Sequence, residues 1–331
     1  MLGIGAAGAV ALPTAFDALR IDRRWIKVTQ TRLRMGTYVT MTAVHDSRDQ
    51  AEEAIGKAFD EMDRLVAIFS RHDSATPVSV LNRDGVLNGP PPELVDVLLR
   101  SREVSLRTNG AFDATVKPLL DLMVETVDKG GRVPDAAAID AAMSRVGYDG
   151  VNVTGNRVRF TRPDMGITLD GVAKGHIVDC ASRVLGDHGV ENHLINAGGD
   201  IRVRGTRSDG NPWRIAVQDP KKKANYPAVI ELRDGAVATS GSYEVYFDKQ
   251  RMYHHIVDPR NGLSPRGGAS VSVVAGSVME ADALSTTVFV LEPTEGVRFI
   301  DSTRGAECLA VAKGGALFQS KGWSAHARAS G

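Results

Sequence analysis

Apolar residues recur at helical spacing early in the chain. Between Ala54 and Phe69 they stand three or four positions apart, which predicts an amphipathic helix with one face on a core. Ser47 and Gln50 precede this stretch with the spacing of a capping box, which marks a helix N-terminus. The pattern therefore predicts a helix that begins after Ser47 and ends near the polar segment 70–77.

Later segments mix helical and alternating patterns. Proline favours a first helical turn and glycine the position after a last one, so a second helix is predicted between the prolines at 91–92 and Asn-Gly at 109–110. Residues 166–190 predict a strand end, a glycine-containing turn and a helix. Further helices are predicted at 138–148, 278–291 and 294–302, and strands or hairpins at 35–45, 152–162, 193–205, 213–220 and around 314–315. This order lacks a regular strand–helix–strand rhythm, which favours an α+β fold over a doubly wound sheet.

Bulk composition restricts the function classes. With 331 residues the chain can form one large domain or two ordinary ones, and it holds 40 basic and 40 acidic side chains. A net charge of zero provides no global field for nucleic acid, so no nucleic-acid partner is expected. Cys180 and Cys308 fit no metal spacing and are expected to be buried thiols.

The first sixteen residues are small and apolar. They resemble the hydrophobic region of an export signal without its basic start, so an exported, periplasmic protein is expected. An apolar tail and a cytoplasmic location remain the alternatives. Residues 17–34 are polar and basic and predict a linker or a first strand.

One carboxylate and one hydroxyl share a face of an otherwise apolar segment. Asp282 and Thr286 stand four positions apart within 278–291, so both point to the same side of the predicted helix. They are hard oxygen ligands, and Mg²⁺ uses one or two carboxylates while substrate phosphates complete its shell. Spacing alone favours a structural alternative, in which Asp282 faces the helix dipole and Thr286 bonds back to the preceding turn.

Other polar motifs are weaker individually. Lys174 begins a predicted helix, where it can hold a phosphate or be merely solvated. The two glycines in 196–201 allow close backbone approach to a ligand, although a tight turn explains them equally. The loop 254–262 contains two histidines beside Asp-Pro, and histidine suits proton transfer near neutral pH. The hydroxyl-rich segment 239–247 lacks a nucleophile elbow and is interpreted as a binding loop.

Taken in order, these motifs resemble those of the FAD:protein FMN transferases, the ApbE family. The resemblance covers 33–325, which leaves 1–32 as a partial export signal and linker. It rests on MGT (35–37), FSRHDSATPVSVLN (69–82), GAFDATVKPL (110–119), TLDGVAKGHIVD (168–179), NAGGDIRVRG (196–205), WRIAVQDP (213–220), ATSGSYEVYF (238–247), HHIVDPRNG (254–262) and ADALSTTVFVL (281–291).

The resemblance implies a fold and a reaction. The fold would be compact α+β, T-fold-like, with mixed sheets flanked by helices and a flavin site between subdomains. In the presence of Mg²⁺ such enzymes cleave FAD at its pyrophosphate, join FMN to a Thr or Ser of an acceptor flavoprotein, and release AMP. Acceptors belong to membrane redox complexes, so peripheral association with such complexes is expected.

The resemblance also implies site residues. Asp282, Thr286 and the carbonyl of Gly171 correspond to the metal ligands, and Lys174 corresponds to the residue near the FAD phosphates. His255 corresponds to the histidine that assists transfer, and we expect it to deprotonate the acceptor hydroxyl, with Asp282 as the other catalytic residue. Positions that correspond to the lining of the FAD site are Met35, His72, Ala111, Phe112, Asp113, Thr168 and His255.

Two departures from the family pattern stand out. Many members carry Tyr where this chain has His72, and imidazole can still stack on adenine. Many members read Asp-Leu-Gly-Gly where this chain reads Thr-Leu-Asp-Gly at 168–171, so Thr168 occupies the usual Asp position and Asp170 follows two residues later. Which of these two side chains contacts FAD is open at this stage.

Two further functions fit the same motifs. Water in place of the acceptor hydroxyl would make the protein an FAD pyrophosphatase that yields FMN and AMP. The departures at His72 and Thr168 would suit a flavin-binding protein without turnover.

Overall fold

The computed structural model describes residues 25–220, 226–241, 254 and 256–328. The helices are α1 (Arg48–Phe69), α2 (Pro77–Asp84), α3 (Pro92–Arg107), α4 (Lys117–Met123), α5 (Ala136–Met143), α6 (Ala173–Asp187), α7 (Val278–Val290) and α8 (Pro293–Asp301). The strands are β1 (Ile26–Arg34), β2 (Thr37–His45), β3 (Val86–Asn88), β4 (Val151–Thr154), β5 (Arg157–Phe160), β6 (Asn192–Ala197), β7 (Asp200–Arg204), β8 (Trp213–Ala216), β9 (Val229–Leu232), β10 (Asp234–Gly241), β11 (Gly268–Ala275), β12 (Glu307–Ala312), β13 (Leu317–Gln319) and β14 (Ala327–Arg328).

Eight strands form the central sheet, in the order β1-β2-β6-β7-β10-β11-β12-β13. Every pairing within it is antiparallel. The α+β class is confirmed, whereas the described sheets are antiparallel rather than mixed in strand direction. Of the two alternatives given for 17–34, a linker or a first strand, residues 26–34 form the strand, and the sheet begins seven residues before the boundary predicted at residue 33.

Helices cover one face of this sheet in a regular way. Each of α1, α6, α7 and α8 packs over a neighbouring strand pair, and adjacent helices contact one another. The predicted apolar face of α1 is buried, and the Ser47 hydroxyl accepts a hydrogen bond from the Gln50 N–H, as the capping box requires. The core between this helix layer and the sheet is the largest of the hydrophobic clusters among the described residues.

A second, smaller sheet covers part of the opposite face. It consists of β14-β9-β8, and its side chains pack on those of β7, β10, β11 and β12. Trp213 and Trp323 are buried in this second layer. Because both faces of the central sheet are covered, β11 is buried along nearly its whole length and its sequence is continuously apolar or small.

The third sheet, β3-β5-β4, lies outside the central layers. Its hairpin turns at Gly155-Asn156 as predicted. In this half of the chain one prediction was wrong and one helix was missed. Residues 166–172 contain no strand, and α2 was not predicted, although Thr76 caps it through the Ser79 N–H and Pro77 begins it.

The two cysteines have the surroundings that the sequence analysis expected. Cys180 and Cys308 are buried thiols, as predicted, and burial raises their pKa values to about 11 and about 12.

In the described part of the chain, no helix combines the length and the apolar character that crossing a membrane requires. The predicted export signal lies outside the described residues.

The crossing of α6 and α7 is unusually close. A Cβ atom on Gly175 would lie 2.7 Å from the backbone N and Cα of Met279, so only glycine allows this approach. The Asp179 carboxylate of α6 accepts hydrogen bonds from the N–H groups of Val278 and Met279 at 2.9 and 3.0 Å. It thereby caps the N-terminus of α7, and the two contacts together set the register between the helices.

Gly175→Ala is expected to destabilise the protein by about 1–3 kcal/mol, because the added methyl group meets backbone that cannot rotate away. The free energy of unfolding in urea measures this effect. Gly56→Ala in α1 is the matched control, since a Cβ there meets nothing within 4 Å. That change is expected to stabilise by about 0.5–1 kcal/mol, the usual gain from replacing glycine within a helix. Equal effects of the two substitutions would contradict the close-crossing interpretation.

Candidate functional site

Five segments meet at one end of the central sheet. The tight turns Met35-Gly36 and Gly198-Gly199 lie side by side there, because a Cβ on Gly198 would contact the Thr37 hydroxyl. The end of β10 reaches the same edge through its pairing with β7. From the helix layer, the first turn of α6 and the buried face of α7 complete the site. All four glycine and methionine residues of the two turns have positive φ angles, which fits two-residue hairpin turns.

Asp282 lies at the centre of this region and is only 7% exposed. The backbone N–H of Gly175 donates a hydrogen bond to its carboxylate, yet Oδ2 is buried without a hydrogen-bond partner among the described residues. Burial first, and the nearby Asp200 carboxylate second, raise its pKa well above the ordinary value. A buried carboxylate oxygen without a donor is the kind of group that a cation can satisfy.

Asp200 and Lys174 form an ion pair beside Asp282. The Lys174 ammonium lies 2.8 Å from Asp200 Oδ2. Burial raises the Asp200 pKa, and the ammonium acts in the opposite direction. Two buried carboxylates therefore share one ammonium group, which leaves an excess of negative charge when both are ionised. This balance favours a bound cation.

Thr286 faces the turn that precedes α6. Its Oγ1 lies 3.4 Å from the position that a Cβ on Gly171 would occupy, and the Phe112 ring lies 3.2 Å from the same point. The backbone of Gly171 thus passes directly beside the Thr286 hydroxyl. The back-bonded alternative applies to the next residue instead, because Thr287 Oγ1 donates to the Ala283 carbonyl at 2.8 Å.

The structure therefore brings together Asp282, Thr286 and Gly171, the three predicted metal ligands. They supply a carboxylate, a hydroxyl and a backbone carbonyl, a donor set of hard oxygens. Within residues 25–220, 226–241, 254 and 256–328, no cluster of three or more His, Cys, Asp or Glu side chains has a metal-binding arrangement. The capacity for a cation thus rests on mixed oxygen donors, not on a cage of acidic or imidazole side chains.

The predicted flavin-lining residues fall into two groups. Ala111 and Phe112 are buried beside the Gly171 turn, and Met35 is half-buried at its hairpin turn. Asp113 is committed to structure. Its carboxylate accepts hydrogen bonds from the N–H and hydroxyl of Thr115 and from the Tyr148 N–H, at 2.7–2.8 Å. Asp113 therefore fixes the loop at Thr115 and its position relative to the segment at Tyr148.

The residues at the two departures from the family pattern differ in their surroundings. Thr168 is buried, its N–H donates to the Ala114 carbonyl, and its hydroxyl accepts from the Asp170 N–H. Asp170 is exposed and forms an ion pair with Arg71 at 2.9 Å. His72, directly after Arg71, has an exposed side chain. The ion pair ties the segment that carries His72 to the turn that carries Gly171.

The two histidines of loop 254–262 differ in what can be said of them. His255, the predicted base, lies outside the described residues. His254 is fully buried, its Nε2 donates to the Pro265 carbonyl, and its Nδ1 accepts from the Ile256 N–H. His254 therefore anchors the loop, which is a structural role.

Sequence reasoning missed three residues at the site: Asp200, Arg71 and Ser240. Asp200 follows a two-glycine turn directly, and an acidic residue in that position was a usable signal. Ser240 belongs to the hydroxyl-rich segment that was interpreted only as a binding loop. Arg71 carries no local pattern, because its partner Asp170 is 99 positions away.

Comparisons with known proteins show which proteins the chain resembles. The family model described as "ApbE family" matches residues 35–310. The FAD:protein FMN transferase of Klebsiella pneumoniae (strain 342) is 31% identical over 278 residues, which cover 80% of this chain and 79% of that protein. The FAD:protein FMN transferase of Escherichia coli (strain K12) is 28% identical over 285 residues, which cover 83% of this chain and 80% of the relative.

Solved structures give the same picture. The ApbE protein of Thermotoga maritima superposes with a TM-score of 0.82 at 32% identity, covering 91% of this chain and 99% of the other. The flavin transferase ApbE of Vibrio cholerae superposes with a TM-score of 0.78 at 25% identity, with the same coverage of 91% and 99%.

Asp282→Asn is expected to stabilise the protein in EDTA at neutral pH, by about 1–3 kcal/mol, because it removes a buried charge with an unsatisfied oxygen. Urea unfolding followed by tryptophan fluorescence measures the change. Asp113→Asn is the matched control, since that carboxylate accepts three hydrogen bonds and its replacement is expected to destabilise. A loss of stability in both variants would mean that Asp282 is an ordinary satisfied core group.

Proposed function

The chain belongs to the ApbE family and is an enzyme that transfers FMN from FAD to a protein, and we propose that Asp282, Thr286 and the Gly171 carbonyl hold the Mg²⁺ that this transfer requires. The observation that carries the proposal is the buried Asp282 oxygen without a donor, beside the Thr286 hydroxyl and the Gly171 backbone. When bound, Mg²⁺ would neutralise negative charge on the FAD pyrophosphate.

Lys174 has the complementary role in this proposal. Its ammonium lies on the first turn of α6, where the helix dipole also favours negative charge. Asp200 holds it beside Asp282, so the ammonium faces the same space as the proposed cation. The phosphates of FAD would therefore meet positive charge from two sides, and this arrangement orients the pyrophosphate for attack.

The nucleophile in this reaction comes from the partner. A Thr or Ser oxygen of the acceptor flavoprotein bonds to the phosphorus of the FMN phosphate, the bond from that phosphorus to the AMP phosphate oxygen breaks, and AMP leaves. We assign His255 as the base that takes the hydroxyl proton, on the basis of its family correspondence and its place in the loop that His254 anchors.

The function is tested with FAD, Mg²⁺ and an acceptor domain that carries a threonine in a flavinylation motif. Chromatography follows AMP, and fluorescence in a denaturing gel follows covalent flavin. Asp282→Ala is expected to lower both products by about 100-fold or more, because a metal ion supplies several kcal/mol of charge stabilisation. Asp187→Ala, an exposed carboxylate at the end of α6, is the control and is expected to keep wild-type rates.

The outcomes separate the alternatives. AMP with free FMN and no labelled acceptor would indicate a pyrophosphatase. Intact FAD that copurifies and does not react on adding Mg²⁺ would indicate a flavin-binding protein. Full activity of Asp282→Ala would overturn the assigned cation site.

Lys174→Met and His255→Gln are expected to separate binding from transfer. Loss of the ammonium should weaken FAD binding about 10- to 100-fold, the scale of one charge-assisted hydrogen bond. His255→Gln should leave FAD affinity near wild type and lower the rate of acceptor labelling. Flavin fluorescence titration and single-turnover labelling measure the two effects. Unchanged affinity in Lys174→Met, or unchanged labelling in His255→Gln, would contradict the corresponding role.

Export and association with membrane redox complexes stay predictions. The segment that carries the proposed export signal lies outside the described residues. Fractionation of the producing cell, with an antibody against the folded domain, would decide between a periplasmic and a cytoplasmic location.

A further inference from the structure

Three hydroxyl groups form a chain at the end of β10. Ser240 Oγ lies 2.8 Å from Ser285 Oγ and 3.3 Å from Thr286 Oγ1. Ser285 Oγ in turn lies 3.0 Å from the backbone carbonyl of Asp282 and donates to it. The chain therefore connects the strand to the Thr286 hydroxyl and to the backbone of Asp282.

The direction of these hydrogen bonds follows from counting protons. A hydroxyl group has one proton, and that of Ser285 goes to the Asp282 carbonyl, which can only accept. In the Ser240–Ser285 contact Ser240 is therefore the donor. With its own proton used, Ser240 accepts from Thr286. The Thr286 proton consequently points toward β10.

This direction determines where the Thr286 oxygen is available. Its lone pairs face away from Ser240, and the backbone of Gly171 passes beside the same hydroxyl. A hydroxyl that ligates a metal must offer a lone pair to the ion and give its proton to another acceptor. Groups that orient metal ligands in this way commonly change metal affinity 10- to 100-fold.

We propose that Ser240 is a positioning residue for the cation site. It accepts the Thr286 proton and so holds the Thr286 oxygen toward the ion. This inference rests on the proposed function, because it presupposes a cation between Asp282 and Thr286. Ser240 would therefore act on the cation through Thr286.

The neighbouring hydroxyl provides a matched control. Thr239 lies on the same strand but faces the opposite side of the sheet, where its Oγ1 lies 2.7 Å from Ser272 Oγ. Thr239→Ala therefore removes a half-buried hydroxyl from the same strand without touching Thr286.

The test measures cation affinity without turnover. Electron paramagnetic resonance of unbound Mn²⁺ gives the Mn²⁺ dissociation constant of the full chain, without FAD and with it. Ser240→Ala is expected to weaken Mn²⁺ binding about 10- to 100-fold and to raise the Mg²⁺ concentration for half-maximal labelling by a similar factor. Labelling at saturating Mg²⁺ and FAD affinity in EDTA should stay near wild type. Ser240→Thr, which keeps the hydroxyl, should restore cation affinity, and Thr239→Ala should not alter it.

Two results would overturn the inference, and they differ from failure of the proposed function. If Ser240→Ala binds Mn²⁺ like the wild type while Asp282→Ala does not bind it, the cation site stands and the role of Ser240 is wrong. If Ser240→Ala and Thr239→Ala weaken binding equally, the effect is one of general packing and the positioning role is again wrong. If Asp282→Ala also binds Mn²⁺ like the wild type, the cation site itself is wrong and the inference fails with it.

Discussion

The site depends on the close approach of α6 and α7 at Gly175. Because no side chain separates the helices there, the backbone N–H of Gly175 reaches the Asp282 carboxylate. The same approach brings the turn at Gly171 beside Thr286. Asp179 fixes the register along the crossing by capping α7. A looser crossing would move the Gly171 turn, which precedes α6, away from Asp282 and Thr286 of α7.

Charge at this crossing opposes folding. The buried carboxylates of Asp282 and Asp200 are close enough to repel each other. Both interact with the same ammonium group, that of Lys174. Such an arrangement costs folding free energy unless a cation and an anionic ligand complete it. The surrounding antiparallel sheet and helix layer supply the burial that offsets this cost. Functional sites commonly carry such local destabilisation, which the rest of the fold tolerates.

The departures from the family pattern lie in one corner of the site. Thr168 holds the turn through its backbone and hydroxyl, and Asp170 pairs with Arg71 across 99 positions of sequence. This pair links the His72 segment to the Gly171 turn from the solvent side. Thr168 is thus buried and committed to structure, while the acidic side chain of Asp170 is exposed.

The sequence by itself determined the α+β class and most helix and hairpin positions, because these follow from local periodicity, capping and turn residues. It also placed Asp282 and Thr286 on one face of α7, whereas their assignment as metal ligands came only from the family resemblance. The order of its motifs also indicated the family. Only the tertiary structure placed Asp200 beside Lys174, Ser240 beside Thr286 and Arg71 beside Asp170, because each pair joins segments far apart in sequence. Burial decided the roles of the carboxylates. The sequence does not show whether a carboxylate has hydrogen-bond donors, because only its surroundings distinguish the satisfied Asp113 from the unsatisfied Asp282.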